Sequence, residues 1–195
     1  MDVSGRGFSL VELVVAIAIF SMLTAIGVPA FASWIGNYKI KGTAESIQAG
    51  LNLARGEAVR RNTIIRFQLV NSTDVGCALS TADANWVVSV DDPAGACNGA
   101  KVDDSVPLDD ATSPRIIQVR SAKEGSGGVE VDSGANTFRF NGLGRLVDAP
   151  AVVDIKNSTL GACGVVRCLR VVVTSGGQVR MCDPAYSAGD TQGCS

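Results

Sequence analysis

The 195-residue sequence contains no histidine. This absence excludes Ser-His-Asp triads, histidine general bases and histidine-containing metal sites. The sequence also lacks a Gly-x-Ser-x-Gly nucleophile elbow and a Walker-type phosphate loop. We therefore expect a protein that is not an enzyme and needs no cofactor, and the energy for any assembly must come from another protein.

Metal-ligand spacings are equally scarce, because none of the six cysteines forms a Cys-x-x-Cys pair. The paired aspartates between residues 91 and 110 match no EF-hand loop, so we expect no metal, with a weak calcium site as the alternative. All six cysteines follow the apolar segment, which favours disulfides in an oxidising compartment over a zinc site. Their connectivity stays open. Cys77 with Cys97 is the first choice because they flank one predicted hairpin, and the others crowd around the C-terminal strands: Cys163, Cys168, Cys182 and Cys194.

The sequence has no strong basic excess, with 17 lysines and arginines against 19 acids. A dedicated nucleic-acid-binding protein normally shows such an excess. Charge is also absent from one long stretch, since no charged residue lies between Leu13 and Tyr38. Such a run can cross a bilayer, which takes roughly 20 helical residues. Gly27 and Pro29 lie inside it, and proline removes a helical hydrogen bond, so we expect a kink there.

Glu12 lies at the start of this apolar run. A carboxylate costs roughly 2.5–3.5 kcal/mol at the centre of a membrane helix and less near an end. If the chain is cut between Gly7 and Phe8, the new α-amino group of Phe8 lies about one helical turn from Glu12. The ammonium of one subunit can then neutralise the carboxylate of its neighbour. An ordinary signal peptide has a shorter apolar region of about 7–15 residues, and a plain anchor gives no reason for Glu12.

The segment Gly7-Phe8-Ser9-Leu10-Val11-Glu12-Leu13, followed by an apolar helix, resembles the prepilin signature of type IV pilins and type II secretion pseudopilins. The resemblance implies that a prepilin leader peptidase cleaves after Gly7 and methylates the amine of Phe8. It implies that the chain polymerises through this helix, which unwinds at Gly27 and Pro29 when subunits pack. The implied partners are other minor and major pilins or pseudopilins, an inner-membrane assembly platform and inner-membrane lipid.

Beyond the apolar run, small and aliphatic residues recur at spacings of three and four and predict a one-sided helix: Ile40, Ala44, Ile47, Leu51, Ala54 and Ala58. We expect this face to lie on a β-sheet. Residues 51–62 are similar to the helix end of type II secretion protein H and of FimT/FimU-type minor pilins, in which a serine more often stands where this chain has Gly56. A glycine there weakens the helix by about 1 kcal/mol relative to alanine.

From Thr63 onward, β-branched and aromatic runs separated by turn residues predict strands. These are Ile64–Val70, Trp86–Val90, Arg115–Arg120, Val129–Val131, Thr137–Phe140, Ala151–Ile155, Cys168–Thr174 and Gln178–Cys182. Turns are predicted at residues 141–144 and 175–177, and a long surface loop at residues 91–114. The predicted class is α+β and type IV pilin-like, with a long N-terminal helix, transmembrane in its first half, packed on an antiparallel β-sheet domain with disulfides.

The predicted organisation has four segments. Residues 1–7 are a cleaved leader, 8–35 a transmembrane and filament-core helix, 36–62 its amphipathic second half, and 63–195 a periplasmic β-rich head. The basic residues that flank the apolar run do not decide its orientation, because Arg6 lies on one side and Lys39 and Lys41 on the other. The cysteines and the leader resemblance place the N-terminus in the cytoplasm and the head in the periplasm.

The resemblance implies a structural minor pilin or pseudopilin that helps to prime a type IV pilus or a type II secretion pseudopilus near its tip. The alternative is a DNA-binding minor pilin of natural transformation. Some FimT-type minor pilins take up DNA through a C-terminal Gly-Arg-x-Arg motif, and here Gln178 replaces the first arginine. The candidate DNA contacts are Arg167, Arg170 and Arg180. Solvent-facing arginines without a DNA role are the favoured interpretation, because the residues after Arg61 include eleven basic and fifteen acidic side chains.

Overall fold

A computed structural model of the chain describes residues 9–99, 114–122, 128–158, 163, 167–187 and 189–194. The chain divides into two compact units, Met1–Ile35 and Gly36–Ser195. Helix α1 runs from Leu10 to Arg61, and its helical assignment continues through Gly27 and Pro29. The kink expected there stays a prediction. At the helix end Asn62 has a left-handed φ of 49°, a conformation that asparagine tolerates and that commonly ends helices.

The part of α1 in the first unit is apolar and exposed. Its exposed side chains include Leu10, Phe20, Leu23 and Phe31. Within the described parts of the chain, no helix is both long enough and apolar enough to cross a membrane.

All eight predicted strands are present, and their ends differ from the predicted ends by at most two residues. They are β1 Ile65–Val70, β2 Asn85–Ser89, β3 Ile116–Arg120, β4 Val129–Ser133, β5 Thr137–Phe140, β6 Ala151–Asn157, β7 Leu169–Val173 and β8 Val179–Cys182. The β-branched and aromatic residues that predicted them suit a pleated surface that is buried on at least one side.

The strands form two four-stranded sheets, in the orders β3-β2-β1-β5 and β4-β6-β7-β8, and the predicted antiparallel β-sheet domain packed on the helix is confirmed. Every strand pair is antiparallel. The chain changes sheet between β4 and β5, although only residues 134–136 separate them. These residues do not form a hairpin, because their backbone groups bond to different sheets. The amide of Gly134 donates to Val152 O in the second sheet at 3.0 Å. The carbonyl oxygen of Asn136 accepts from the amide of Leu69 in the first sheet at 2.8 Å.

One hydrophobic core joins α1 to both sheets. The six residues of the predicted helix stripe, Ile40 to Ala58, are fully buried. They share a cluster with residues of β1, β2 and β5 and with residues of β4, β6 and β7. Phe138 and Phe140 share one face of β5, and both are fully buried. Helix and sheet approach closely at Gly50, where an added Cβ would lie 2.7 Å from Phe67 Cε2.

Two glycines bring the predicted hairpin turns together. Gly144 and Gly177 have φ values of 72° and 77°, which favour glycine. A Cβ on Gly177 would overlap the carbonyl oxygen of Gly144, so the turn between β7 and β8 rests directly on the turn after β5. The Nε of Arg55 on α1 donates to the same carbonyl oxygen at 3.1 Å. Helix and both sheets therefore meet at the Gly144 carbonyl.

Candidate functional site

Glu12 belongs to a capping box at the start of α1. The amide and the hydroxyl of Ser9 donate to Glu12 Oε2 at 3.2 and 3.3 Å, and the amide of Glu12 donates to Ser9 Oγ at 3.2 Å. This reciprocal arrangement provides hydrogen-bond partners for amides that otherwise have none at a helix N-terminus. The negative charge of the carboxylate also interacts favourably with the positive end of the helix dipole. The sequence carried the signal as Ser-x-x-Glu, which our sequence reading missed.

The capping box gives Glu12 a partner within its own chain. Both bonds to its carboxylate use Oε2, so Oε1 has no hydrogen bond within the described residues. The predicted cleavage site, Gly7 and Phe8, lies outside the described residues. Pairing of the Phe8 amine with Glu12 of another subunit therefore stays a prediction. The hydrogen bonds from Ser9 orient the Glu12 carboxylate without any such partner.

All six cysteines are paired in disulfides. Cys77 is bonded to Cys97, the pair that the sequence favoured, with their Cα atoms 6.0 Å apart. The other two bonds join Cys163 to Cys168 and Cys182 to Cys194. Cys77 and Cys97 pack with Val70, Val87 and Ile116 in a second small cluster. The bond from Cys182 ties the end of β8 to the C-terminal tail.

The acids of the predicted surface loop have protein partners where the structure describes them. Arg115 donates to both carboxylate oxygens of Asp91 at 2.7 Å, and these hydrogen bonds lower the pKa of Asp91. Asp92 Oδ1 accepts from Gln68 at 3.3 Å and from the amide of Ala94 at 3.1 Å. The other paired aspartates, at 103, 104, 109 and 110, lie outside the described residues. Where residues are described, no group of three or more carboxylates and cysteines is placed to hold a metal ion.

Two of the three candidate DNA contacts are engaged with carboxylates. Arg170 binds both oxygens of Asp154 at 2.7 and 2.9 Å, a hydrogen-bonded pair that raises the pKa of Arg170. Arg167 Nε donates to Asp183 at 3.0 Å. Arg180 is exposed and lies opposite Val172 in the β7–β8 register, so it shares the outward face of the sheet with Arg170. Arg167 and Arg170 are therefore each paired with a carboxylate of their own chain.

A cleft of about 450 Å³ lies between α1, the start of β7 and the C-terminal tail. Its polar groups include Asn37, Lys41, Arg167 and Gln192, and its apolar groups include Leu169 and Met181. Its walls are linked by hydrogen bonds. The amide of Arg167 donates to Asn37 Oδ1 at 2.9 Å, and Arg167 Nη2 donates to Gln192 Oε1 at 3.2 Å. The sequence did not predict this cleft, because its residues come from three segments that are distant in the chain.

Two protein-family models match this chain. The prokaryotic N-terminal methylation motif matches residues 4–28, and the family described as type II transport protein GspH matches residues 43–177. No curated protein matches significantly.

The solved structures to which this chain is similar include a type IV minor pilin and a minor pseudopilin. The type IV minor pilin FimU of Pseudomonas aeruginosa is 15% identical with a TM-score of 0.47, over 78% of this chain and 95% of that chain. The minor pseudopilin EpsH of the type 2 secretion system of Vibrio cholerae is 15% identical with a TM-score of 0.45, over 76% of this chain and 99% of that chain. The GspH match spans more than half of the sequence. This chain therefore belongs to the GspH family and is a structural subunit of the pilin and pseudopilin type, with an N-terminal methylation motif.

Proposed function

We propose that this chain is a minor subunit that helps to prime assembly of a type IV pilus or a type II secretion pseudopilus and lies near its tip. Membership of the GspH family supports a structural role in one of these two machines. The helix end at residues 51–62 supports a minor subunit over a major pilin, because it is similar to that of protein H and FimT/FimU-type proteins. The partners we propose are other pilins or pseudopilins, the leader peptidase and the inner-membrane assembly platform.

The single observation that carries this proposal is the exposed apolar surface of α1 in the first unit. Its large side chains are more than half exposed at Leu13, Ile17, Phe20 and Phe31. An apolar helical surface of this length must be covered by lipid or by other apolar helices. We propose that residues 8–35 lie in inner-membrane lipid before assembly and in the filament core afterwards. Residues 1–7 would be removed, and residues 36–195 would face the periplasm with the N-terminus in the cytoplasm.

The test of this role is deletion of the gene in its native host, with surface pili, twitching and secreted hydrolases scored side by side. Lost pili with normal secretion would assign the chain to a type IV pilus. Lost secretion with intact pili would assign it to a pseudopilus. If both survive, the proposal is wrong, and loss of transformation alone would then assign the DNA-binding role.

Glu12 provides a second test. Glu12→Ala removes both the charge and the capping interaction, whereas Glu12→Gln removes the charge and keeps a side chain that can still cap the helix. We expect both variants to be processed normally and both to be depleted from filaments, because pairing with the Phe8 amine of a neighbour needs the negative charge. Glu45→Ala is the control, since it removes an exposed carboxylate from the same helix. Wild-type incorporation of Glu12→Gln would refute charge pairing and leave capping as the role of Glu12.

Leader cleavage after Gly7 is tested separately. Gly7→Asp should block processing, because the peptidase that we propose requires a small residue at the cut. The expected result is a precursor that migrates more slowly on a gel than the mature wild-type chain. Normal processing of this variant would mean that the cleavage site is misplaced.

A further inference from the structure

We propose that the cleft between α1, β7 and the C-terminal tail binds an acidic and partly apolar surface segment of a neighbouring pilin-type subunit. The inference rests on the proposed function, because it assigns a partner contact within the filament. The cleft has a volume of about 450 Å³, which is enough for one or two side chains of a partner.

The positive groups of the cleft have hydrogen-bonding capacity left. Arg167 uses Nε for Asp183 and Nη2 for Gln192, and its remaining N–H groups make no hydrogen bond to described residues. Its side chain is 53% exposed, whereas that of Asp183 is 4% exposed. Lys41 lies 3.7 Å from Glu45 with both side chains more than half exposed, a weak pairing that a partner can displace. Two cations with open donors fit a carboxylate of the partner.

The cleft is also held in shape before a partner binds. The Cys182–Cys194 bond fixes the tail to β8, and the amide of Asp183 donates to Gln192 O at 2.8 Å. The amide of Arg167 is bonded to Asn37 on α1. A site whose walls are already ordered loses little conformational entropy on binding. A cleft whose walls are joined by these bonds, with both polar and apolar groups, suits a specific protein contact.

The apolar lining distinguishes a peptide from a lipid phosphate. Leu169, Met181 and Cys182 line the same cleft as the two cations. A phosphate needs donors alone, whereas a segment with an acidic and an aliphatic side chain uses both kinds of lining. We therefore favour a peptide segment and treat binding to lipid as an outcome that the experiment detects.

The experiment is photo-cross-linking of the full-length chain in cells that assemble filaments. p-Benzoylphenylalanine replaces Thr191, an exposed residue of the cleft lining. The control position is Val75, which is 75% exposed and is not part of the lining. We expect Thr191 to form an adduct with another pilin-type subunit, identified by mass spectrometry, and Val75 to give less of that adduct.

Charge variants test the chemistry of the contact. Lys41→Glu should reduce the Thr191 adduct by about fivefold, the upper range for one partly exposed ion pair. Lys156→Glu makes the same charge change outside the cleft lining, at a lysine 3.5 Å from Asp132, and should leave the yield unchanged. No protein adduct, or an adduct with phospholipid alone, would overturn this inference if the chain is present in sheared filaments. Its absence from filaments would overturn the proposed function as well.

Discussion

The meeting of two turns at Gly144 and Gly177 predicts a large effect from a single methyl group. Gly177→Ala places a Cβ on a residue with φ of 77°, which costs roughly 1 kcal/mol for a non-glycine residue. The same Cβ overlaps the Gly144 carbonyl oxygen, and overpacking of this kind costs roughly 1–3 kcal/mol. Because the carbonyl also accepts from Arg55, it cannot move away without loss of that bond. We expect a destabilisation of about 2–4 kcal/mol.

The neighbouring glycine gives a matched control. A Cβ on Gly176 would meet only Thr174 Oγ1 at 3.8 Å, an ordinary contact. Thermal unfolding of the full-length chain in detergent should show a Tm lower by roughly 5–15 °C for Gly177→Ala and little change for Gly176→Ala. A Gly177→Ala variant within about 0.5 kcal/mol of its control would refute the close packing of the two turns.

Two other predictions concern the second unit. Gly50→Ala should destabilise the chain by roughly 1–3 kcal/mol, because the added methyl group meets Phe67. Gly56→Ala should stabilise it by about 0.5–1 kcal/mol, because the methyl group there meets nothing within 4 Å and alanine favours the helix. Equal Tm values for the two variants would contradict this difference. Asp91 has a pKa lowered by its hydrogen bonds to Arg115, so its contribution to stability is complete above a pH of about 4 and is lost as pH falls further. Urea unfolding should therefore show a smaller loss of stability below a pH of about 4 for Asp91→Asn than for the wild type, and identical pH dependences would exclude the pair as a source of acid sensitivity.

The sequence predicted those parts of the fold that depend on neighbouring residues. The stripe of α1, the eight strands and both glycine turns were all found from spacing and turn chemistry. The division into two sheets was not predicted, because three residues between two strands, such as 134–136, are also the length of a hairpin loop. The amides and carbonyls of residues 134–136 instead bond to β1 and β6, which are distant in sequence. Strand order depends on such non-local pairing, which no local pattern records.

The candidate sites show the same division. The capping box of Ser9 and Glu12 was readable as a local motif, whereas the cleft joins residues 37–41 to residues 167–192. The pairing of Arg170 with Asp154 follows from the register of β6 and β7, and that register is visible only in the folded chain. Basic residues that look available in sequence are therefore a poor guide to the charge that a surface presents.

The shared core of α1 and the two sheets has a consequence for the order in which the chain folds. The buried stripe that begins at Ile40 emerges early from a chain that is made from its N-terminus. Its partners in the core extend as far as Val173, and the last disulfide closes at Cys194. Contacts between residues so distant in sequence form slowly, and the apolar stripe of α1 stays exposed to solvent until they form. During that interval the incomplete head is most vulnerable to proteases, because its core cannot close before its final residues arrive.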